Sequence, residues 1–295
     1  MKKRVITAVI LAAVLIISFV LRQVNAYIFD ALILALSVAA SVEVALCVNK
    51  NTDDPAPKTT SLVLAIVNAC LTGGIFLTCL LTNTLTFLPA FLALALFVTM
   101  VVLIIFTACK YKTFVKTRFL LPLAYPNYLF LFFYLINHLS AFNAGLNGTV
   151  SLFLLVAIFV ICMFTDTFAM ILGITLKGPK LCPKISPNKH LIAFLGALVF
   201  GTCAGMATYA IFNLIEPFKT IFVNANLQLW LVAVFSFVAS LLCQIGDIFE
   251  SFIKRKLGTK DMSNFLPGHG GIMDRVDGIS FATVIIFVFG IVAFV

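Results

Sequence analysis

The chain has 295 residues, 62% hydrophobic and only 11% charged, with 31 phenylalanines. Soluble domains carry about 25% charged residues, so a water-soluble fold could not hide this much apolar surface and the bilayer must be its solvent. The formal net charge of +9 comes without a basic domain large enough to bind nucleic acid, and the eight cysteines form no CxxC pair, so neither a zinc site nor a disulfide framework is indicated.

A spanning helix needs about 20 apolar residues. Runs of that kind fall near 5–21, 27–47, 62–80, 88–109, 119–139, 150–172, 191–214, 227–246 and 279–295. They predict an all-α integral membrane protein with about nine transmembrane helices. The first run lies between Lys2-Lys3-Arg4 and Val24-Asn25-Ala26, flanks that also suit a signal peptide, but its length favours a retained span. The second run holds Asp30 near one end and Glu43 near the other. Intramembrane carboxylates are functional suspects by default, yet neither needs to reach the bilayer centre, so structural or interfacial roles are expected. The stretch NKNTDDPAPKTT at 49–60 is rich in turn formers and forms a solvated loop.

Polar interest rises after residue 160. Asp166 falls near the end of the sixth run, and LKGPKLCPKISPNKH (176–190) follows as a proline-stiffened basic loop. Such a loop either enforces topology or binds anionic headgroups. With this segmentation, every lysine and arginine except Arg22 and Lys219 falls on one side. The positive-inside rule makes that side cytoplasmic, so the amino terminus is inside and the carboxy terminus outside. Residues 1–140 are then amino-terminal spans, and 141–295 form the chemistry-bearing region, with cytoplasmic loops 173–190 and 247–278.

Residues 247–277 mix five acids (Asp247, Glu250, Asp261, Asp274, Asp277) with five bases (Lys254, Arg255, Lys256, Lys260, Arg275). An orientation signal needs only the bases. Ile248, Phe249, Phe252, Ile253 and Leu257 recur at helical intervals, so the eighth span continues as an amphipathic helix, and Gly258 is its expected stop. On it Asp247, Ser251 and Lys254 share a face. Pro267-Gly-His269-Gly-Gly271 offers backbone that a phosphate can approach closely. Asp274 and Asp277 are i, i+3 neighbours if the last helix has begun there. Paired carboxylates are hard oxygen ligands for Mg²⁺, which arrives with nucleotide phosphates. Lysines and arginines neutralise the charge of a transferring phosphoryl group. A solvated loop remains the alternative on charge alone.

The run Ser251-Phe-Ile-Lys254-Arg255, then Lys260-Asp261, then Pro267-Gly-His269-Gly-Gly-Ile-Met-Asp274-Arg275-Val-Asp277 resembles the phosphatidate cytidylyltransferase (CDP-diacylglycerol synthase) signature without a gap. The resemblance implies transfer of cytidylyl from CTP to phosphatidic acid, giving CDP-diacylglycerol and pyrophosphate. It implies Mg²⁺ (a second cation being left open), a multi-pass place in the cell membrane with the active site facing the cytoplasm, and a homodimer. By the same resemblance Asp247 and Asp274 hold the metal and, with Lys254, form the catalytic set. Ser251, Arg255, Lys260, Asp261, His269, Arg275 and Asp277 contact substrate, and further upstream so do Asp166 and Lys189.

Two departures stand out. Lys189-His190-Leu191-Ile192-Ala193 replaces the family's Lys-Thr-x-Glu-Gly, and Leu176-Lys177-Gly178 replaces Phe-Gly-Lys. A catalytically altered homologue is therefore one alternative. A transporter of an anionic substrate is another, but it would concentrate ionisable groups near the midplane. Here most of the 11 carboxylates are expected at the cytoplasmic interface. A CDP-alcohol phosphotransferase is disfavoured because Asp277-Gly278-Ile-Ser-Phe-Ala lacks the arginine of its motif.

Overall fold

The computed structural model describes residues 2–50, 131–141, 148–176, 178–263, 265–266 and 270–295. The expected spans 62–80 and 88–109, and most of 119–139, lie outside the described residues; 131–137 are helical. The chain forms two compact units, Met1–Asn137 with Ile253–Val276 and His138–Phe252 with Asp277–Val295.

In the first unit, α1 (Lys2–Val24) and α2 (Ala26–Lys50) pack against each other. Asn25 separates them, and its side chain accepts the Tyr27 N–H at 2.9 Å. Phe19 stacks on Phe29. The polar groups at this end are satisfied together. Arg22 Nε donates to Asn137 Oδ1 at 2.5 Å, and Asn137 Nδ2 donates to Asp30 Oδ1 at 2.8 Å. All three residues are buried, and burying such groups is tolerable only with partners of this kind. Asp30 thus sits in a polar knot among α1, α2 and residue 137.

The second unit holds α3 (Gly148–Thr175), a hairpin of β1 (Lys180–Cys182) and β2 (Ser186–His190), α4 (Leu191–Phe212), α5 (Phe218–Asn224), residues 229–252 of α6 (Leu229–Lys256) and residues 277–294 of α7 (Met273–Phe294). Helix α3 packs along α4. Thr165 of α3 and Ser240 of α6 share a hydrogen bond at 2.8 Å, and Gln244 Nε2 donates to the Phe194 carbonyl at 3.2 Å. One end is closed by aromatic rings: Phe153 meets Phe222 at 4.9 Å and Phe212 meets Phe218 at 4.6 Å, both edge to face.

Among the described residues five helices are long and apolar enough to cross a membrane: Ala26–Val48, Gly148–Thr175, Leu191–Phe212, Leu229–Lys256 and Met273–Phe294. The protein is a mostly helical, multi-pass membrane protein. Two boundaries move relative to the apolar runs. The eighth span and its amphipathic extension are one 28-residue helix, about 42 Å long at 1.5 Å per residue. That exceeds the roughly 30 Å hydrocarbon core, so its last turns can carry charge beyond the core. The final helix starts at Met273, which puts Asp274 in its first turn.

The structure is consistent with the expected all-α membrane class, and one loop adds a detail. Part of the basic loop is a two-stranded antiparallel hairpin pairing Lys180 with His190 and Cys182 with Ser186. Pro179, Pro183 and Pro187 lack N–H groups and have fixed φ, which rules out a helix here. The Ile185 N–H closes the turn on the Cys182 carbonyl at 3.1 Å. Pro187 is accommodated because each strand of a two-stranded ladder has a free edge.

Candidate active site

In the first unit the signature segment is pinned by two carboxylates. Helix α6 ends in Lys254-Arg255-Lys256, where cationic groups suit the negative end of a helix. The expected stop is present: Gly258 has φ +70°, and the Thr259 N–H returns to the Lys254 carbonyl at 2.9 Å. Lys254 Nζ then reaches Asp274 Oδ1 at 2.7 Å. Asp274 Oδ2 accepts the N–H groups of Met262 at 3.0 Å and Gly271 at 2.7 Å. An ion pair this sheltered is tolerable because two further lone pairs of Asp274 are also hydrogen-bonded.

Glu43 of α2 is the second anchor. It accepts the hydroxyl of Ser263, the Ile272 N–H at 3.2 Å and the Met273 N–H at 2.9 Å. Gly271 makes this approach possible, since a Cβ there would lie 2.7 Å from Glu43 Oε2 and nearer still to Oε1. Beside the segment, a cavity of about 220 Å³ is lined by Cys47, Lys50, Thr259, Lys260, Asp261, Met262 and Ser263. Arg255 and Arg275 are exposed, with Arg255 Nη1 donating to the Thr259 carbonyl at 3.3 Å. His269 lies outside the described residues.

In the second unit a different set converges. Lys189 Nζ of β2 lies 2.5 Å from Asp247 Oδ2, and the Ser251 hydroxyl is 3.5 Å from Asp247 Oδ1. Asp166 of α3 interacts electrostatically with Asp277, Asp247 and Lys189 and accepts a weak bond from Cys243 Sγ at 3.7 Å. The convergence has a cause in the sequence. Helices α6 and α7 touch backbone to backbone at Gly246 and Gly278. A Cβ on Gly246 would sit 2.6 Å from the Asp277 carbonyl, and one on Gly278 2.8 Å from the Cys243 carbonyl. Small residues permit such crossings. Each glycine is followed or preceded by an aspartate, so the crossing that needs glycine also delivers Asp247 and Asp277.

The site residues expected from spacing and from the resemblance therefore fall as Asp166, Lys189, Asp247, Ser251 and Asp277 in one unit, and as Lys254, Lys260, Asp261 and Asp274 in the other. Helix α3 runs on to Thr175, so Asp166 lies about two and a half turns before its end. The departures at 190, 192 and 193 have packing duties. His190 Nδ1 donates to the Gly178 carbonyl at 2.7 Å, Ile192 covers Gly178, and Ala193 is buried near Gly173. They leave Lys189 directed at Asp247.

The chain offers oxygen donors suited to Mg²⁺. Among the described residues no three His, Cys, Asp or Glu side chains form a cluster that could hold a metal ion. Mg²⁺ is usually bound by one or two carboxylates together with substrate phosphates and water rather than by an all-protein cage. Asp247, with its side chain 39% exposed, fits that mode of binding. Asp274 already accepts three hydrogens and is 4% exposed, so one acceptor position of its roughly four is left. What sequence spacing missed was the partner of Glu43. An acid inside an apolar run was visible, but its contact with a segment 220 residues away was not.

Comparison with known proteins adds an independent line. A sequence model of the Cytidylyltransferase family matches residues 2–293. The phosphatidate cytidylyltransferase of Staphylococcus saprophyticus is 41% identical over 124 residues, 42% of this chain and 43% of the relative. That of Staphylococcus haemolyticus is 35% identical over 185 residues, covering 60% and 62%. That of Mycobacterium leprae is 41% identical over 115 residues, covering 39% and 33%. The matched stretches span from a third to three-fifths of these relatives' own lengths. With the family model covering nearly the whole sequence, the chain belongs to the cytidylyltransferase family.

Proposed function

We propose that the protein transfers the cytidylyl group of CTP to phosphatidic acid, forming CDP-diacylglycerol and pyrophosphate at the cytoplasmic face of the membrane. The observation that carries this reading is Asp274 of the signature, tied to Lys254 and to the amides of Met262 and Gly271. The names of the relatives support the same substrates.

A phosphatidate oxygen attacks the α-phosphorus of CTP. A new P–O bond forms, the bond to the bridging oxygen breaks, and its electron pair leaves with pyrophosphate. The nucleophile needs no strong base, because a phosphate monoester has a second pKa of about 6 and is largely ionised at neutral pH. The protein's task is to overcome repulsion between two anions and to align them. Lys254, Arg255, Lys260 and Arg275 supply positive charge, as does Lys189 beside Asp247. Ser251, Asp166, Asp261, His269 and Asp277 complete the proposed substrate contacts. The carboxylates proposed for Mg²⁺ are Asp247, through its accessible oxygens, and Asp274, through its remaining acceptor position. The bound cation would supply charge neutralisation of the triphosphate.

The test is an assay of purified protein with CTP, phosphatidic acid and Mg²⁺, alongside Asp274→Asn. Wild type should form the lipid-linked cytidylyl product, and the variant should lose at least about a hundredfold in rate, as when one preorganised electrostatic contact is removed. An unaffected variant would contradict the assignment of Asp274. An inactive wild type would favour a catalytically altered homologue.

A further inference from the structure

We propose that Glu43 is a positioning residue for the signature segment, holding in register the stretch that carries Lys260, Asp261 and Asp274. Its effect on turnover rests on the transferase reading above; its grip on the segment rests on geometry alone. Glu43 is 6% exposed and lies in a largely apolar helix, 13 residues from its other carboxylate, Asp30. A buried carboxylate is costly unless it is hydrogen-bonded, and among the described residues the three hydrogen-bond donors to Glu43 belong to one segment. Oε1 accepts the Ile272 N–H at 3.2 Å and the Ser263 hydroxyl, while Oε2 accepts the Met273 N–H at 2.9 Å.

These amides open α7, where the first N–H groups have no partner inside the helix and the peptide dipoles leave positive charge. Glu43 answers both from a different helix, through charge-assisted bonds. The segment is thereby pinned in alternation. Asp274 takes the amides of Met262 and Gly271, and Glu43 takes Ser263, Ile272 and Met273. Freeing the Glu43 points would release the start of α7, and with it the aim of Asp274. Lys260 and Asp261, three and two residues before Ser263, would lose their fixed end.

The test uses the full-length protein in lipid nanodiscs, with hydrogen–deuterium exchange read over residues 262–274 and steady-state kinetics in parallel. Glu43→Gln keeps the shape but turns one acceptor into a donor. It should speed exchange at the amides of 272 and 273 by about tenfold or more, leave α3 and α4 protected as in wild type, and lower kcat by a similar factor. Gly271→Ala, which forces a methyl group against an intact Glu43, should reproduce that pattern. Unchanged exchange at 272 and 273 in Glu43→Gln would overturn the proposal. So would faster exchange spread equally over α3 and α4, the mark of a general loss of stability. Accelerated local exchange with full kcat would also overturn it, by separating the grip from catalysis. Should wild type show no cytidylyl transfer, the function fails, and the exchange result still decides whether Glu43 pins the segment.

Discussion

Lys254 and Asp274 form an ion pair that water scarcely reaches, whereas Lys189 and Asp247 form one at 2.5 Å that remains partly wet. The difference sets what each substitution costs. Removing one partner of a buried pair leaves an uncompensated charge, a loss of about 3–5 kcal/mol. Breaking an exposed pair costs about 0–1 kcal/mol. Lys254→Ala should therefore lower the thermal unfolding midpoint in detergent clearly, and Lys189→Ala should barely move it while both reduce turnover. Equal midpoints would contradict the placement of Asp274. The residues of both pairs were legible in the sequence, because the signature contains Lys254 and Asp274, the resemblance extends upstream to Asp247 and Lys189, and helical spacing puts Lys254 on the face of Asp247. Their pairing was not. Nothing in the string separates a lysine that meets a phosphate from one that first meets a carboxylate, and Glu43 shows the same gap over a longer reach.

At the scale of elements, apolar period and length located α2, α3, α4, α6 and α7, because a bilayer leaves the backbone few options besides helix. Their ends were harder to read. Asp274 and Asp277 look like loop residues by hydropathy, yet the last helix has begun by Met273 because Glu43 satisfies its opening amides. The hairpin at 180–190 is short, polar and proline-rich, so no periodicity could announce it. The α6–α7 crossing gives a sharp test. Gly246→Ala must push a methyl group into the Asp277 carbonyl, and overpacking of this kind costs about 1–3 kcal/mol. Gly258→Ala meets open space and costs only the left-handed backbone, about 1–2 kcal/mol. Both should lower stability, but only Gly246→Ala should also weaken the electrostatic coupling among Asp247, Asp277 and Asp166. That is measured as a loss of activity which Gly258→Ala does not share to the same degree. A Gly246→Ala enzyme with wild-type activity would contradict the role given to the crossing.

For the whole molecule, the asymmetry of Lys and Arg predicts by the positive-inside rule that the signature segment faces the cytoplasm, and the proposed use of CTP requires that side. In a chain whose native cysteines are replaced, a membrane-impermeant maleimide should label Lys219→Cys in intact cells and Lys184→Cys only after lysis. The reverse pattern would invert the topology. Cytidylyl transfer moves the α-phosphorus of CTP and no other. CTP labelled at its α-phosphate or its γ-phosphate is supplied to the purified protein with phosphatidic acid and Mg²⁺, and lipid is then separated from water. The account predicts that the α label enters the lipid phase in step with the release of γ label as pyrophosphate, one for one. Lipid that gains the γ label, or pyrophosphate released with no label in the lipid, would contradict it.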